Sequence, residues 1–221
     1  MKEDYLYINH EKIDVEKIVR ELYDFSKPGI LSIQDVLTRT GLENLLKVAS
    51  LSADIFEEAQ TEEGDVDQEM SIVYFEKVLK EKIDETALDI LSRFKTEYER
   101  VYRHIARAAR FEEIDYNKIG FHKYLKGSMG ILPHQDYARH VNLISIFNLK
   151  GKSSLFYCKD ESKVDSIEID TSPRSLVLLR AARKESEERY RPFHYLESIE
   201  EERLSLNIRT RKTPLSTYRA L

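Results

Sequence analysis

No apolar run in these 221 residues approaches the roughly 20 that a membrane-spanning helix needs. The opening MKEDYLYINHEK has charges with no long apolar core behind them, so the expectation is an unprocessed, cytoplasmic protein with no membrane partner. Cysteine is nearly absent as well. The single Cys158 excludes an internal disulfide, and its stretch Leu155-Phe156-Tyr157-Cys158 reads as a strand with a buried thiol. There is no internal repeat and no low-complexity tract. Positive charge is in deficit: the formal net charge of -5 removes any global attraction to nucleic acid. A local patch stays open. Between Arg174 and Arg219 stand Arg180, Arg183, Lys184, Arg189, Arg191, Arg203, Arg209, Arg211 and Lys212, interleaved with Glu185, Glu187, Glu188, Glu197 and Glu200 to Glu202. The pattern fits either mixed solvated charge or a binding patch.

What is present is globular. Hydrophobic residues make up 41% and charged residues 34%, with a mean hydropathy of -0.51, a water-facing balance that excludes a disordered chain. The length suits one structural domain. Within it, residues 1–113 read as a mainly helical region packed on a core formed by residues 114–221. Asp14 caps a helix carrying Val15, Ile18, Val19 and Leu22, closed by Ser26-Lys27-Pro28-Gly29. Ser32 is expected to begin a short second helix. Gly41 separates that helix from a longer one through Leu42, Leu45, Leu46, Val48, Ala49 and Ile55, ending at Thr61-Glu62-Glu63-Gly64. A helical period then runs from about Glu69 to Phe111, restarted by a cap at Asp84. Its stripe of Leu88, Leu91, Phe94, Tyr98, Val101, Tyr102 and Ile105 is a core face.

After Glu113 the period changes. Segments 116–124, 141–149, 153–158, 166–169, 176–179 and 204–208 read as short strands, with turns at 126–130, 150–152 and 171–173. Several short strands at this spacing point to a sandwich or jelly roll.

Chemistry concentrates in three places. In Ile131-Leu132-Pro133-His134-Gln135-Asp136, an imidazole and a carboxylate stand two residues apart, and in an extended chain such residues point the same way. His194 follows sixty positions later, after enough strands to fold back beside the first motif. Two histidines and one carboxylate make the facial triad of non-haem Fe(II) oxygenases, which leaves open positions on the ion. Beyond it, Arg203-Leu204-Ser205-Leu206-Asn207-Ile208-Arg209 alternates without exception. Arg203, Ser205, Asn207 and Arg209 share one face; Leu204, Leu206 and Ile208 share the other. Arginines in a cavity need an anion, and a dicarboxylate suits the guanidinium fork; a wet, charged strand face is the plainer reading. His140 lies near the first motif and reads either as a pocket residue or as a partly exposed loop histidine, while His10 and His104 read as structural or exposed.

Together with the strand Asn117-Lys118-Ile119-Gly120-Phe121-His122-Lys123-Tyr124, these motifs make the second half resemble the Fe(II)/2-oxoglutarate-dependent dioxygenases, most closely their AlkB-like branch, over residues 115 to 211. The resemblance implies an α+β fold: a double-stranded β-helix (jelly-roll) core in the C-terminal half, buttressed by N-terminal helices. It implies Fe(II) held by His134, Asp136 and His194, with no catalytic residue beyond these ligands. It also implies 2-oxoglutarate with its remote carboxylate on Arg203 and Ser205, assisted by Tyr124 and Arg209, and O2 as co-reactant. The reaction would be hydroxylation or oxidative demethylation, with succinate and CO2 formed. The primary substrate would be a modified nucleobase or a small molecule; a protein substrate and a non-catalytic metal-binding interaction module are the other readings. Two positions depart from the family pattern: His122 stands where Asn is usual, and Asn207 where Thr is commoner. The interval from His194 to Arg203 is shorter than in nucleic-acid-repairing members.

Overall fold

The computed structural model describes residues 6–24, 26–59, 67–75, 82–111, 116–137, 139–151, 153–182, 191–197 and 199–211. Its helices are α1 (Val15–Tyr23), α2 (Arg39–Leu51) and α3 (Glu85–Ala109). Its strands are β1 (Ile30–Ile33), β2 (Glu57–Glu58), β3 (Ser71–Tyr74), β4 (Lys118–Tyr124), β5 (Ile131–His134), β6 (His140–Lys150), β7 (Ser154–Cys158), β8 (Ile167–Ile169), β9 (Leu176–Arg180), β10 (Phe193–Glu197) and β11 (Arg203–Arg211).

Each helix begins where an aspartate or threonine satisfies free backbone N–H groups. Asp14 accepts from the Lys17 N–H at 2.9 Å, Thr38 from Gly41 at 2.9 Å, and Asp84 from Thr86 at 2.8 Å. The stripe on α3 is buried from Leu91 to Ile105. Phe147 of β6 meets Phe94 and Tyr98 edge-on, both at 5.2 Å between ring centroids, and the Tyr98 hydroxyl bonds to Ser145 Oγ. Each buried ring contributes about 1.5–3 kcal/mol over leaving it in water.

The strands form two antiparallel sheets, a larger one in the order β1-β9-β6-β11-β4-β3-β2 and a smaller one in the order β5-β10-β7-β8. Period-two alternation sorts the larger sheet's side chains between two layers. Leu176, Leu178, Leu204, Leu206 and Ile208 pack with the helices. Val177 and Leu179, with Ile144, Ile146 and Tyr124, face Leu155 and Leu196 of the smaller sheet. This is the expected jelly-roll core, two sheets face to face with helices behind one of them. Among the described residues no helix is long and apolar enough to cross a membrane.

Several expectations for the first half are corrected. Ser32 does not open a helix: it lies in β1, whose Ile30 pairs with Leu179 of β9. The helical period from Glu69 gives way to β3 at Ser71–Tyr74, where the β-branched Ile72-Val73 pair takes a place between β4 and β2. Gly41 does not separate two helices but lies inside α2, where a Cβ would stand 2.3 Å from the Tyr7 carbonyl oxygen. Strands β5 and β10 were not in the expected set; β5 tolerates Pro133 because it is a sheet edge. The expected helix end at 61–64, and Arg183, Lys184, Arg189, Lys212 and Arg219 of the mixed-charge region, lie outside the described residues.

Candidate metal centre

The pairing of β5 with β10 sets His134 directly across from His194. Gly130, at φ +80°, makes this approach possible, since a Cβ there would fall 2.0 Å from the Leu196 carbonyl oxygen. The two imidazole centroids are 4.3 Å apart. Each ring donates from Nδ1 to a carbonyl two residues before it: His134 to Leu132 at 2.9 Å and His194 to Pro192 at 3.1 Å. That leaves the Nε2 lone pair of each for a ligand, the usual support given to metal-bound histidine. Burial, reinforced by the neighbouring His194, pulls the His134 pKa down to about 4, so the ring is neutral at physiological pH.

Asp136 lies two residues beyond His134, with its Oδ2 3.5 Å from His194 Nε2. Burial pushes its pKa up, but Arg209 and His140 outweigh burial and hold the carboxyl well below the usual range. Arg209 Nε is 3.4 Å from Asp136 Oδ1 and His140 Nδ1 is 3.6 Å from the same oxygen. Arg191 donates to the Asp136 backbone carbonyl. One donor atom from each of His134, Asp136 and His194 lies within 4.8 Å of the others. An ion roughly 2.1 Å from each donor fits such a set after a small contraction. Two imidazoles and one carboxylate suit ferrous iron, and the open side faces a cavity of about 400 Å³.

The opposite wall is the polar face of β11. Arg203 is 4% exposed. It donates from Nη2 to Asn148 Oδ1 at 2.7 Å and from Nη1 to Ser205 Oγ at 3.2 Å, while its Nε has no hydrogen-bond partner among the described residues. Its guanidinium lies 5.7 Å from the Tyr124 ring centre. Burial pushes the Tyr124 hydroxyl up to about 12, which keeps it a neutral donor. A buried cation answered, among the described residues, by neutral groups fits an incoming carboxylate. Thus His134, Asp136, His194, Arg203, Ser205, Arg209 and Tyr124 all line one cavity, with Arg209 directed at Asp136.

Tyr74 and Lys118 line the same cavity with no role read for them in the sequence, and His122, noted there only as a departure from the family pattern, lines it too. Tyr74 donates its hydroxyl to His122 Nε2 at 3.1 Å, and Arg209 Nη1 approaches the same nitrogen at 3.4 Å. His122 is therefore a neutral acceptor, with a pKa driven well below normal by burial and then by Arg209. The Tyr74 ring takes the space a side chain at Gly120 would fill, 2.5 Å from that Cβ, and Lys118 Nζ sits 3.7 Å from its centre. His140 is 3% exposed, so of its two readings the structure selects the pocket wall.

No protein-family model matches the chain, and no curated protein matches it by sequence. Solved structures do share its fold. A prolyl hydroxylase from Trichoplax adhaerens, in complex with a hypoxia inducible factor peptide, aligns with a TM-score of 0.66 at 14% identity, covering 89% of this chain and 90% of that one. A prolyl-4-hydroxylase from Pseudomonas putida gives 0.63 at 14%, covering 90% and 99%. The auxin-oxidation dioxygenase of Arabidopsis thaliana, solved with 2-oxoglutarate, gives 0.56 at 14%, covering 94% and 90%. The shared property is the fold, that of the jelly-roll oxygenases; at this identity it does not carry substrate or reaction.

Proposed function

We propose that this chain is an Fe(II)- and 2-oxoglutarate-dependent oxygenase that hydroxylates or oxidatively demethylates its substrate. The observation that carries this reading is a two-histidine, one-carboxylate cluster opening onto a cavity whose far wall holds the buried cation Arg203. Ferrous iron bound with 2-oxoglutarate and O2 supplies oxidation of an unactivated C–H bond, with succinate and CO2 as co-products.

His134, Asp136 and His194 hold the ion from one side. Arg203 takes the remote carboxylate of 2-oxoglutarate through its fork, with Ser205 and the Tyr124 hydroxyl as further donors. Arg209 restrains the Asp136 carboxylate and keeps it ionised. Residues 1–113 and 114–221 act as one structural unit in this reading, supported by the pairing of β1 and β3 within the larger sheet.

The test is anaerobic addition of Fe(II) and 2-oxoglutarate to the purified protein. A weak visible charge-transfer band is expected, as is slow conversion of 2-oxoglutarate to succinate in air. His134→Ala should abolish the band. A wild-type protein that binds Fe(II) yet gives neither band nor succinate would leave a metal-binding module as the surviving description.

A further inference from the structure

The metal ligands stand where a strand pairing stops. The ladder between β5 and β10 reaches His134 opposite His194, and Asp136 lies two residues past the end of β5. Continued in the same antiparallel register, the ladder would set Asp136 across from Pro192, which has no N–H to donate. Two reciprocal side-chain bonds stand there instead. Gln135 donates from Nε2 to the Arg191 backbone carbonyl at 2.6 Å, and Arg191 donates from Nη1 to the Asp136 backbone carbonyl. Among the described residues no other hydrogen bond reaches the Asp136 main chain. The buried Nε of Arg191 makes no hydrogen bond among the described residues, so the Asp136 carbonyl is the partner that holds this guanidinium in place. Both bonds lie between the ligands. Gln135 separates His134 from Asp136, and Arg191 precedes Pro192, whose carbonyl fixes the His194 ring at 3.1 Å.

We propose that Gln135 and Arg191 are positioning residues for the metal: a clasp that takes over from the ladder at Pro192 and fixes the Asp136 main chain, so that its carboxylate meets an ion held by the two imidazoles. The proposal rests on the metal centre of the oxygenase reading and adds the residues that assemble it. Without the clasp, the residues past His134 are held from the β5 side alone, and rotation about their φ and ψ carries the carboxylate away from the histidines. Arg209 and His140 do not replace it. They approach Asp136 Oδ1 at 3.4 and 3.6 Å, longer than an ordinary hydrogen bond, and so orient a carboxylate whose main chain is already placed. Groups that support a metal ligand commonly change metal affinity by about 10–100-fold when they are removed, and a clasp on the main chain of a ligand acts by the same route.

The experiment uses the full-length protein, freed of metal and titrated with Co(II), whose visible bands report the donor set. Gln135→Ala and Arg191→Ala should each weaken Co(II) binding about tenfold or more. Their metal-free Tm should stay within about 4 °C of wild type, the loss of one hydrogen bond. Their Co(II) bands should move toward those of Asp136→Ala, the spectrum of the imidazole pair alone. Methylguanidinium should restore affinity and the wild-type bands to Arg191→Ala and do neither for Gln135→Ala. In an Asp136→Ala background neither substitution should weaken Co(II) binding further, because each acts through that carboxylate. Unchanged affinity in either variant overturns the proposal. So does weaker binding that keeps the wild-type bands, or a further loss in the Asp136→Ala background, since the clasp would then support the imidazoles or the fold. If Arg191→Ala does not fold, Gln135→Ala, which leaves every charge in place, decides alone. A wild-type protein that takes up no Co(II) overturns the metal centre and the clasp with it, whereas tight binding by wild type and variants alike removes only the clasp.

Discussion

Arg203→Met removes a buried charge while keeping much of the side chain's length, and its effects on stability and on cosubstrate binding should separate. In the ligand-free protein Arg203 has, among the described residues, the neutral hydrogen-bond partners Ser205 and Asn148. Replacing a buried charge by an apolar side chain is commonly neutral or stabilising, by about 1–4 kcal/mol. Against this, Asn148 Oδ1 loses its donor, at about 1–3 kcal/mol; Ser205 Oγ keeps the amide of Asn207 at 3.0 Å. The two effects nearly cancel. With mid-range values the two differ by about 0.5 kcal/mol, and at about 2–4 °C per kcal/mol for a chain of this size, Tm should move by only a few degrees. Binding of 2-oxoglutarate behaves differently, because the variant leaves its remote carboxylate buried without a cation. That loss is about 2–5 kcal/mol, or roughly 30-fold to several thousand-fold in Kd. Thermal unfolding without ligands and anaerobic titration of the Fe(II)–2-oxoglutarate band measure the two quantities. A Tm lower by more than about 10 °C with an unchanged 2-oxoglutarate Kd would show that Arg203 is structural and refute the assignment.

Three further outcomes are expected. In the metal-free protein, burial and its neighbours hold His134 at about 4 and His122 and His140 below their usual value. The unfolded chain then takes up protons that the folded one refuses, so stability is fully present above about pH 6.5 and falls as pH drops toward the folded values. Tm should therefore fall between pH 7 and pH 5, and fall less in His122→Asn; a rise would reverse the sign and refute the reasoning. Gly130→Ala combines positive φ with a clash against the Leu196 carbonyl, whereas Gly127, at φ +82°, has nothing within 4 Å of a Cβ. Gly127→Ala should cost about 1 kcal/mol in chemical denaturation, and Gly130→Ala markedly more, with weakened Fe(II) binding because β5 can no longer sit against β10. Glu97 accepts the Tyr7 and Ile8 N–H groups at 2.9 and 3.0 Å and also meets His10 Nε2. Glu97→Gln turns one acceptor into a donor facing a donor, which should cost about 1–3 kcal/mol and leave Fe(II) affinity unchanged.

The elements legible in the sequence are those whose period is set by one buried face. The stripe on α3 repeats at helical spacing because only one side of that helix meets the sheet, and β11 alternates because Leu204, Leu206 and Ile208 meet the helices while Arg203 and Ser205 meet the cavity. β1 offered no such signal. Leu31 packs with the helical core and Ile30 with the inter-sheet core, so both faces are apolar and alternation disappears. Short β3 was lost between the apolar residues that follow Glu69. The same limit applied to the site. His134 and Asp136 were legible as a local pair, and His194 by position after a run of strands. The Tyr74–His122–Arg209 cluster was not, since it depends on β3 pairing with β4 and β4 with β11, partners that nothing local specifies.

The two kinds of metal ligand are held in different ways. His134 and His194 are register partners within one sheet, each ring fixed by a carbonyl of its own strand or the residue leading into it. Asp136 lies past the end of β5 and owes its placement to other elements: Arg209 from the larger sheet, His140 at the start of β6, and Arg191 through the backbone. The imidazole pair thus depends on one strand pairing, while the carboxylate depends on how the two sheets face each other. Packing between the sheets, through Ile144, Val177, Leu155 and Leu196, therefore sets the distance from the carboxylate to the imidazoles. A change in that layer should weaken Fe(II) binding through Asp136 before it disturbs the two histidines.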